Sequence, residues 1–144
     1  MTSGPLAKAP RVSLFALTPE ATVALGCPEL GLTTFPYRVG RESRAARWTG
    51  SAPERRQPGS APSNELYIRE VSEPFNVSRE HLQIEWDGHR VSLVDRGSTC
   101  GTIVEGDRVG GQGRVGSVAL RDSDVIIVGT SFSPFVFKVR MTPV

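Results

Sequence analysis

The sequence has few of the residues that mark metalloproteins and disulfide-rich proteins. Its 144 residues include only two cysteines, Cys27 and Cys100, and two histidines, His81 and His89. The cysteines lie far apart and form no CxxC pair, so we expect two reduced thiols. Neither histidine lies at metal-ligand spacing from a cysteine, which argues against a zinc site. We therefore predict no metal and no cofactor.

Long apolar runs and a strong charge excess are also missing. No stretch approaches the roughly 20 apolar residues of a membrane span, and the N-terminus has no apolar run of the signal-peptide kind. The formal net charge is +2, which is too balanced to argue for nucleic acid or a membrane surface as a partner. We expect an intracellular protein, cytoplasmic or nuclear, with neither nucleic acid nor membrane as its partner.

A helical stripe of convincing length is absent too. The chain instead contains short segments rich in β-formers, separated by closely spaced turn signals. Residues 18–31 contain two prolines and two glycines and are interpreted mainly as a loop. This pattern predicts one all-β domain, a sandwich or a barrel. The predicted strands are 11–17, 32–39, 66–69, 82–86, 90–94, 103–104, 118–120, 125–128 and 135–140.

One long segment interrupts the strand pattern. Residues 42–65 are rich in Ser, Gly, Pro, Ala and Arg and show no apolar periodicity. Because such a connection is long for a compact domain, we interpret it as a flexible insertion between the second and third strands. Its arginines fit a solvated loop or a region that steers anionic partners, and Trp48 within it is a candidate for docking on the domain or on a partner.

Outside that segment the predicted organisation is simple. Residues 1–10 form a flexible tail, residues 11–140 form the domain, and residues 141–144 form a second tail. Within the domain, Trp86 and Phe137 are candidate core residues.

Two polar clusters, 78–81 and 98–102, flank a predicted hairpin of two strands, which brings them to one end of a sheet. Arg41, Ser78, Arg79, Ser98 and Thr99 would meet there. Guanidinium groups and hydroxyls suit a phosphorylated side chain, which has three acceptor oxygens and nearly two negative charges at neutral pH. The clusters therefore indicate a phosphate-binding site.

Two enzymatic or nucleotide-binding alternatives are weaker. Ser78, His81 and Asp95 are the residue types of a hydrolase triad, but Ser78 and His81 tend to leave a strand entry on opposite faces, and no GxSxG elbow is present. The glycine-rich residues 106–116 lack the Lys-Ser/Thr ending and the following helix of a phosphate-binding loop, so we predict hairpin turns there.

Four motifs occur in a fixed order along the chain. They are Gly40-Arg41, Ser78-x-x-His81, Asp95-x-x-Ser98-Thr99-x-Gly101-Thr102 and Val118-x-Leu120-x-Asp122-x-Asp124-x-Ile126-x-x-Gly129. Together they resemble the forkhead-associated (FHA) domain over residues 11–140, apart from the insertion. The resemblance implies an eleven-stranded β-sandwich that recognises phosphothreonine without catalysis. It also implies a monomeric module of a larger signalling or regulatory protein.

The resemblance implies binding roles for several residues. Arg41 would contact the phosphate, and Ser78 would donate its hydroxyl to it. Arg79 would add charge or contact the peptide backbone, and Thr99 would line the pocket. Asn76 lies where FHA domains recognise residues that follow the phosphothreonine.

Other residues would support the site. His81 would tie the Ser78 loop to its neighbours. Gly40, Ser98, Gly101 and Thr102 would shape the loops.

The sequence departs from the family at Cys100. FHA domains usually carry an asparagine there, whose amide holds the peptide main chain, whereas a thiol is only a weak donor and a weak acceptor. With cysteine there, the domain could bind its peptide more weakly or in a different register, or it could be an interaction domain that does not depend on phosphate. A thiol beside Arg41 and Arg79 could also be redox-sensitive.

Overall fold

The computed structural model of the chain describes residues 8–42 and 64–143. These residues form eleven strands and one short helix, which confirms the predicted all-β class. The elements in chain order are β1 (Arg11–Ala16), α1 (Pro19–Leu25), β2 (Glu29–Gly31), β3 (Tyr37–Arg41), β4 (Leu66–Ile68), β5 (Leu82–Trp86), β6 (Val91–Arg96), β7 (Thr102–Val104), β8 (Asp107–Val109), β9 (Val115–Ala119), β10 (Val125–Val128) and β11 (Val136–Thr142).

The strands form the two sheets of a β-sandwich. One sheet has the order β2-β1-β11-β10-β7-β8, and the other has the order β4-β3-β5-β6-β9. Alternate side chains of both sheets point inward, so Ile84, Leu93, Phe137 and Val139 are almost completely buried. Phe137 is the core residue that the sequence predicts, whereas Trp86 is only partly buried against the core.

The helix α1 corrects the interpretation of residues 18–31 as mainly loop. Thr18 caps its first turn by accepting a hydrogen bond from the Ala21 amide, and Pro19 occupies the first helical position. Gly26 ends the helix in the left-handed conformation. The proline and the glycine that suggested a loop are therefore the start and stop of a helix, which is too short to show a helical stripe.

Several predicted strand bounds also change. The predicted strand 32–39 begins only at Tyr37, and β2 lies inside the predicted loop. The long insertion therefore follows the third strand rather than the second. The predicted turn region 106–116 contains β8 and the first residues of β9, and β11 extends to Thr142, into the segment predicted as a tail.

Both ends of the predicted insertion belong to the folded domain. Glu42 and Asn64 are buried. Glu65 accepts a hydrogen bond of 2.9 Å from Nε of Arg38 on β3. Residues 43–63, including Trp48, lie outside the described residues.

The pairing of β3, β5 and β6 positions the polar clusters. Leu82, the first residue of β5, pairs with Asp95 near the end of β6 and with Val39 on β3. The segments before β5, after β6 and at the end of β3 therefore meet at one end of this sheet, as the hairpin predicts. Within the described residues, no helix is long and apolar enough to cross a membrane, and no cluster of potential ligands could hold a metal ion.

Candidate functional site

Three loop regions are joined by direct hydrogen bonds at this end of the sandwich. The Arg41 amide donates to the Ser78 carbonyl at 2.9 Å, and the Thr99 amide donates to Ser78 Oγ at 3.0 Å. Cys100 Sγ lies 3.5 Å from the Phe75 carbonyl oxygen. We call Arg41, Ser78, Arg79, Thr99 and Cys100 the polar rim, because they line the outer side of these loops.

Ser78 is oriented by both of its neighbouring loops. Its amide donates to His81 Nδ1 at 2.9 Å, while its Oγ accepts from the Thr99 amide. Among the described residues, nothing accepts the Ser78 hydroxyl proton. The hydroxyl is therefore held in place and retains a donor for an anion.

Arg41 is held by contacts that leave part of its guanidinium unused. Its Nε donates to the Val77 carbonyl at 2.9 Å, and the guanidinium carbon lies 4.0 Å from the centroid of the Phe75 ring. No acidic residue in the ranges 8–42 and 64–143 forms a salt bridge with it. Its two Nη groups keep their donors for an external acceptor.

The position of Arg79 depends on a close approach between its own backbone and that of Gly40 on β3. A side chain at Gly40 would put its Cβ 1.9 Å from the Arg79 carbonyl oxygen. Asn64 Nδ2 donates to the same oxygen at 2.9 Å. The Arg79 side chain is exposed and pairs with no acid in the part of the chain that the structure describes. The glycine before Arg41 is therefore required to let the Ser78–Arg79 loop pack.

The electrostatics of the rim favour an anion. Burial lowers the pKa of Arg41, and the nearby charge of Arg79 lowers it further, while Glu70 and Glu73 act in the opposite direction. Arginine remains protonated at neutral pH in either case. A phosphate dianion would stabilise this pair, because it relieves the repulsion between the two cations and accepts hydrogen bonds from their free donors.

Below the rim lies a buried polar network, which we call the polar floor: His81, Asp95, Ser98 and Thr102. The Asp95 carboxylate accepts hydrogen bonds from the Gly97 and Ser98 amides and from the hydroxyls of Ser98 and Thr102, at 2.7 to 3.0 Å. Ser98 Oγ in turn accepts from the Gly101 amide at 2.8 Å. This network fixes the course of the loop that carries Thr99 and Cys100.

His81 joins the two loops from inside. Because its Nδ1 accepts from the Ser78 amide, the ring proton lies on Nε2, which donates to the Gly101 carbonyl at 2.8 Å. Burial lowers the pKa of His81, although the Gly101 carbonyl and Asp95 oppose the shift. Both ring nitrogens are engaged with backbone groups rather than with Ser78 Oγ, so the nucleophile–base hydrogen bond that a hydrolase needs is not formed in the described residues.

Asn76 lies beside the rim, but its side chain is engaged in the fold. Its amide and its Nδ2 both donate to the buried Glu70 carboxylate, at 2.9 and 3.0 Å. Its Oδ1 accepts from Thr130 Oγ1 at 3.4 Å. A Cβ at Gly129 would meet Asn76 at 2.8 Å, so the last glycine of the fourth motif allows this contact.

Four residues that support the rim are missing from the sequence prediction: Asn64, Glu70, Phe75 and Arg108. Asn64 lies in the predicted insertion, and Phe75 lies in a loop without periodicity. Glu70 is an acid eight positions before the polar cluster 78–81, and at that distance it gives no signal of its own. Only the fold shows that the Glu70 carboxylate holds the Asn76 and Val77 amides.

Comparison with known proteins places this geometry in a family. The model of the FHA domain matches residues 37–129, which include the whole rim and floor. The chain matches no curated protein.

Several solved structures share the fold. The Rv0020c FHA structure is 25% identical, with a TM-score of 0.54, and the match covers 96% of this chain and 99% of that one. A structure from an analysis of phosphothreonine-dependent FHA domain interactions is also 25% identical, with a TM-score of 0.53 and 93% and 99% coverage. EmbR of Mycobacterium tuberculosis, in complex with a low-affinity phosphopeptide, is 20% identical, with a TM-score of 0.56 and 100% and 27% coverage. The chain therefore belongs to the FHA domain family, whose members are non-catalytic interaction modules.

Proposed function

We propose that this domain binds phosphothreonine in a partner protein through the polar rim and so mediates a phosphorylation-dependent protein–protein interaction. The observation that carries the proposal is the pair of arginines, Arg41 and Arg79, which lack an acidic partner in the described residues and lie beside the free hydroxyl donor of Ser78. The domain would act as a monomeric module of a larger intracellular signalling or regulatory protein. Relatives support this class of partner, since one was solved with a phosphopeptide.

In this proposal the phosphate is held by charge-assisted hydrogen bonds. The Nη groups of Arg41 and the hydroxyl of Ser78 bind its oxygens, and Arg79 adds charge or a contact to the peptide backbone. Each bond contributes about 1.5–3 kcal/mol. Two or three of them, with contacts to the peptide main chain, reach about −8 kcal/mol, which corresponds to micromolar affinity.

The same arithmetic limits the preference for threonine over serine. Burial of the extra methyl group contributes about 0.8 kcal/mol, or roughly a fourfold difference in affinity. A much larger preference requires a shaped pocket for that methyl group, for which Thr99 and Cys100 are the candidate lining residues.

The test begins with a degenerate phosphothreonine peptide library, because the partner sequence is unknown. A selected peptide is then titrated in its phosphothreonine, phosphoserine and unmodified forms. We expect Arg41→Ala to abolish measurable binding of the phosphorylated forms. Arg90→Ala is the matched control, since it removes the same charge from the exposed β5–β6 turn at the opposite end of the sheet.

Two results would contradict the proposal: equal binding of the phosphorylated and unmodified peptides, or binding that survives Arg41→Ala. The first result would favour the phosphate-independent interaction domain that Cys100 suggests, and complexes captured by the domain would then persist after phosphatase treatment. The second result would show that the rim around Arg41 is not the binding site.

A further inference from the structure

We infer that Arg108 is an additional binding residue, which recognises an acidic side chain of the partner close to the phosphothreonine. The inference deepens the proposed function and rests on it. Arg108 lies on β8, where it pairs in register with Ile103 on β7. Neither residue belongs to the four sequence motifs.

Arg108 reaches the loop that carries the polar rim. Its Nη2 donates to the Cys100 carbonyl at 3.0 Å. Cys100 is the immediate neighbour of Thr99, whose amide is bonded to the Ser78 hydroxyl. The Arg108 guanidinium is therefore hydrogen-bonded to Cys100, the rim residue that stands where FHA domains usually have an asparagine.

Two glycines make room for this guanidinium. A Cβ at Gly101 would lie 2.9 Å from Arg108 Nε, and a Cβ at Gly111 would lie 2.8 Å from its Nη2. Both glycines have a positive φ, +84° and +97°. The guanidinium thus lies against backbone that carries no side chain, and its position is fixed before a ligand arrives. Holding an arginine in this way reduces the side-chain entropy that binding would otherwise cost.

The contacts of Arg108 do not neutralise it. The residue is exposed, and it forms no salt bridge with any acid in residues 8–42 and 64–143. A backbone carbonyl uses one of its five N–H donors, and the others remain available to a carboxylate. The arrangement is that of an anion-recognition residue rather than of an ion pair that stabilises the fold.

The distance along the peptide can be bounded. An extended peptide advances about 3.3 Å per residue. The Arg108 guanidinium is hydrogen-bonded to the carbonyl of Cys100, the residue that follows Thr99. The acidic residue should therefore lie within about three positions of the phosphothreonine.

The experiment is a double-mutant cycle with the full chain. Peptides carry phosphothreonine and either Glu or Gln at one of the three positions on each side. At one position, we expect the change from Glu to Gln to weaken binding to the unsubstituted protein about threefold to tenfold. The same peptide change should alter binding to Arg108→Met by less than about twofold. Arg108→Lys, which keeps the charge but loses the planar fork, should fall between them.

Arg114→Met is the control, because Arg114 is an exposed arginine in the adjoining turn. It should leave the Glu/Gln difference unchanged. The inference is overturned if no position shows the difference, or if the difference persists in Arg108→Met. It is also overturned if Arg108→Met weakens all peptides equally, since Arg108 would then only support the Cys100 loop. Failure of this inference can be distinguished from failure of the proposed function, because Arg41→Ala tests phosphate binding itself.

Discussion

The polar floor and the polar rim occupy the same loops and differ in how their polar groups are satisfied. Ser98 is buried, and its amide and hydroxyl are both hydrogen-bonded, whereas its neighbour Thr99 is exposed. Among the described residues, no buried side-chain nitrogen or oxygen lacks a hydrogen-bond partner. The arginines of the rim, by contrast, have no acidic partner there. The difference separates two roles: the floor stabilises the loops, and the rim keeps its donors for a ligand.

This separation has an energetic basis. Each satisfied hydrogen bond of the floor contributes about 1 kcal/mol to stability, and a buried group left without its partner costs about 1–3 kcal/mol. The rim contributes little to folding, because Arg41 and Arg79 repel each other across partly exposed space. Substitutions in the floor should therefore mainly reduce stability, whereas substitutions of the rim arginines should mainly reduce binding.

The largest effect should come from Asp95→Ala, at the centre of the floor. The substitution removes four hydrogen bonds and leaves the hydroxyls of Ser98 and Thr102 buried without their acceptor. We expect the free energy of unfolding to fall by about 3–5 kcal/mol, measured by urea denaturation.

Asp107→Ala is the matched control, since Asp107 is an exposed aspartate on β8. Its effect should stay within about 0.5 kcal/mol. If both variants are equally stable, the distinction between floor and rim is wrong.

The next largest effect should come from Gly40→Ala, where floor and rim meet. The new Cβ would clash with the Arg79 carbonyl oxygen, so the backbone must move. We expect a loss of about 1–3 kcal/mol in unfolding free energy, together with weaker phosphopeptide binding because Arg79 is displaced.

Gly31→Ala provides the comparison, because a Cβ at Gly31 would meet no atom within 4 Å. It should leave binding unchanged. Equal losses in the two glycine variants would show that the close contact at Gly40 has no special importance.

The sequence places the residues of the rim and of the floor in its motifs, but it does not reveal the residues that support them. Arg41, Ser78 and Thr99 stand in short motifs beside strand ends, and alternation in β5 and β6 places those ends together. Glu70 and Asn64 act through backbone groups that only the folded chain brings near them. No local pattern indicates such long-range partners.

The same reasoning explains the errors in the fold. Seven residues of α1 make too few turns for an apolar stripe, and its capping residues have the composition of a loop. The short strands β2 and β8 have three residues each, and their pairing partners rather than their own residues define them. In a longer strand with clear alternation, such as β5, the pattern predicts the correct bounds.

His81 gives the floor a pH dependence that the rim should lack. Its folded-state pKa lies below its ordinary value of 6.5, so the unfolded chain takes up a proton before the folded chain does. The stability is fully present above about pH 6.5 and falls as the pH drops below it, by up to about 1.4 kcal/mol per pH unit.

Denaturation between pH 7.5 and pH 5.5 checks this window. His81→Gln should flatten the slope, whereas His89→Gln, at the exposed turn, should keep it. A slope that survives in His81→Gln would assign the pH dependence to another group.

The smallest effect should be a gain in binding from Cys100→Asn. The thiol contacts the Phe75 carbonyl only weakly at 3.5 Å, whereas an amide offers strong donors and an acceptor to the peptide main chain. One added hydrogen bond of about 0.5–1.5 kcal/mol corresponds to an affinity gain of roughly twofold to tenfold. Cys27→Asn, at the other free thiol in the α1–β2 connection, is the control and should not change affinity.

The response of Cys100→Asn also depends on Arg108. If Arg108 supplies donors at the position where the amide is missing, then the asparagine should improve binding more in Arg108→Met than in the unsubstituted protein. Equal gains in both backgrounds would mean that the two residues act independently. Unchanged or weaker binding in both backgrounds would mean that the loop is adapted to cysteine. The rim would then bind its peptide without the hydrogen bonds that an asparagine amide offers to the peptide main chain.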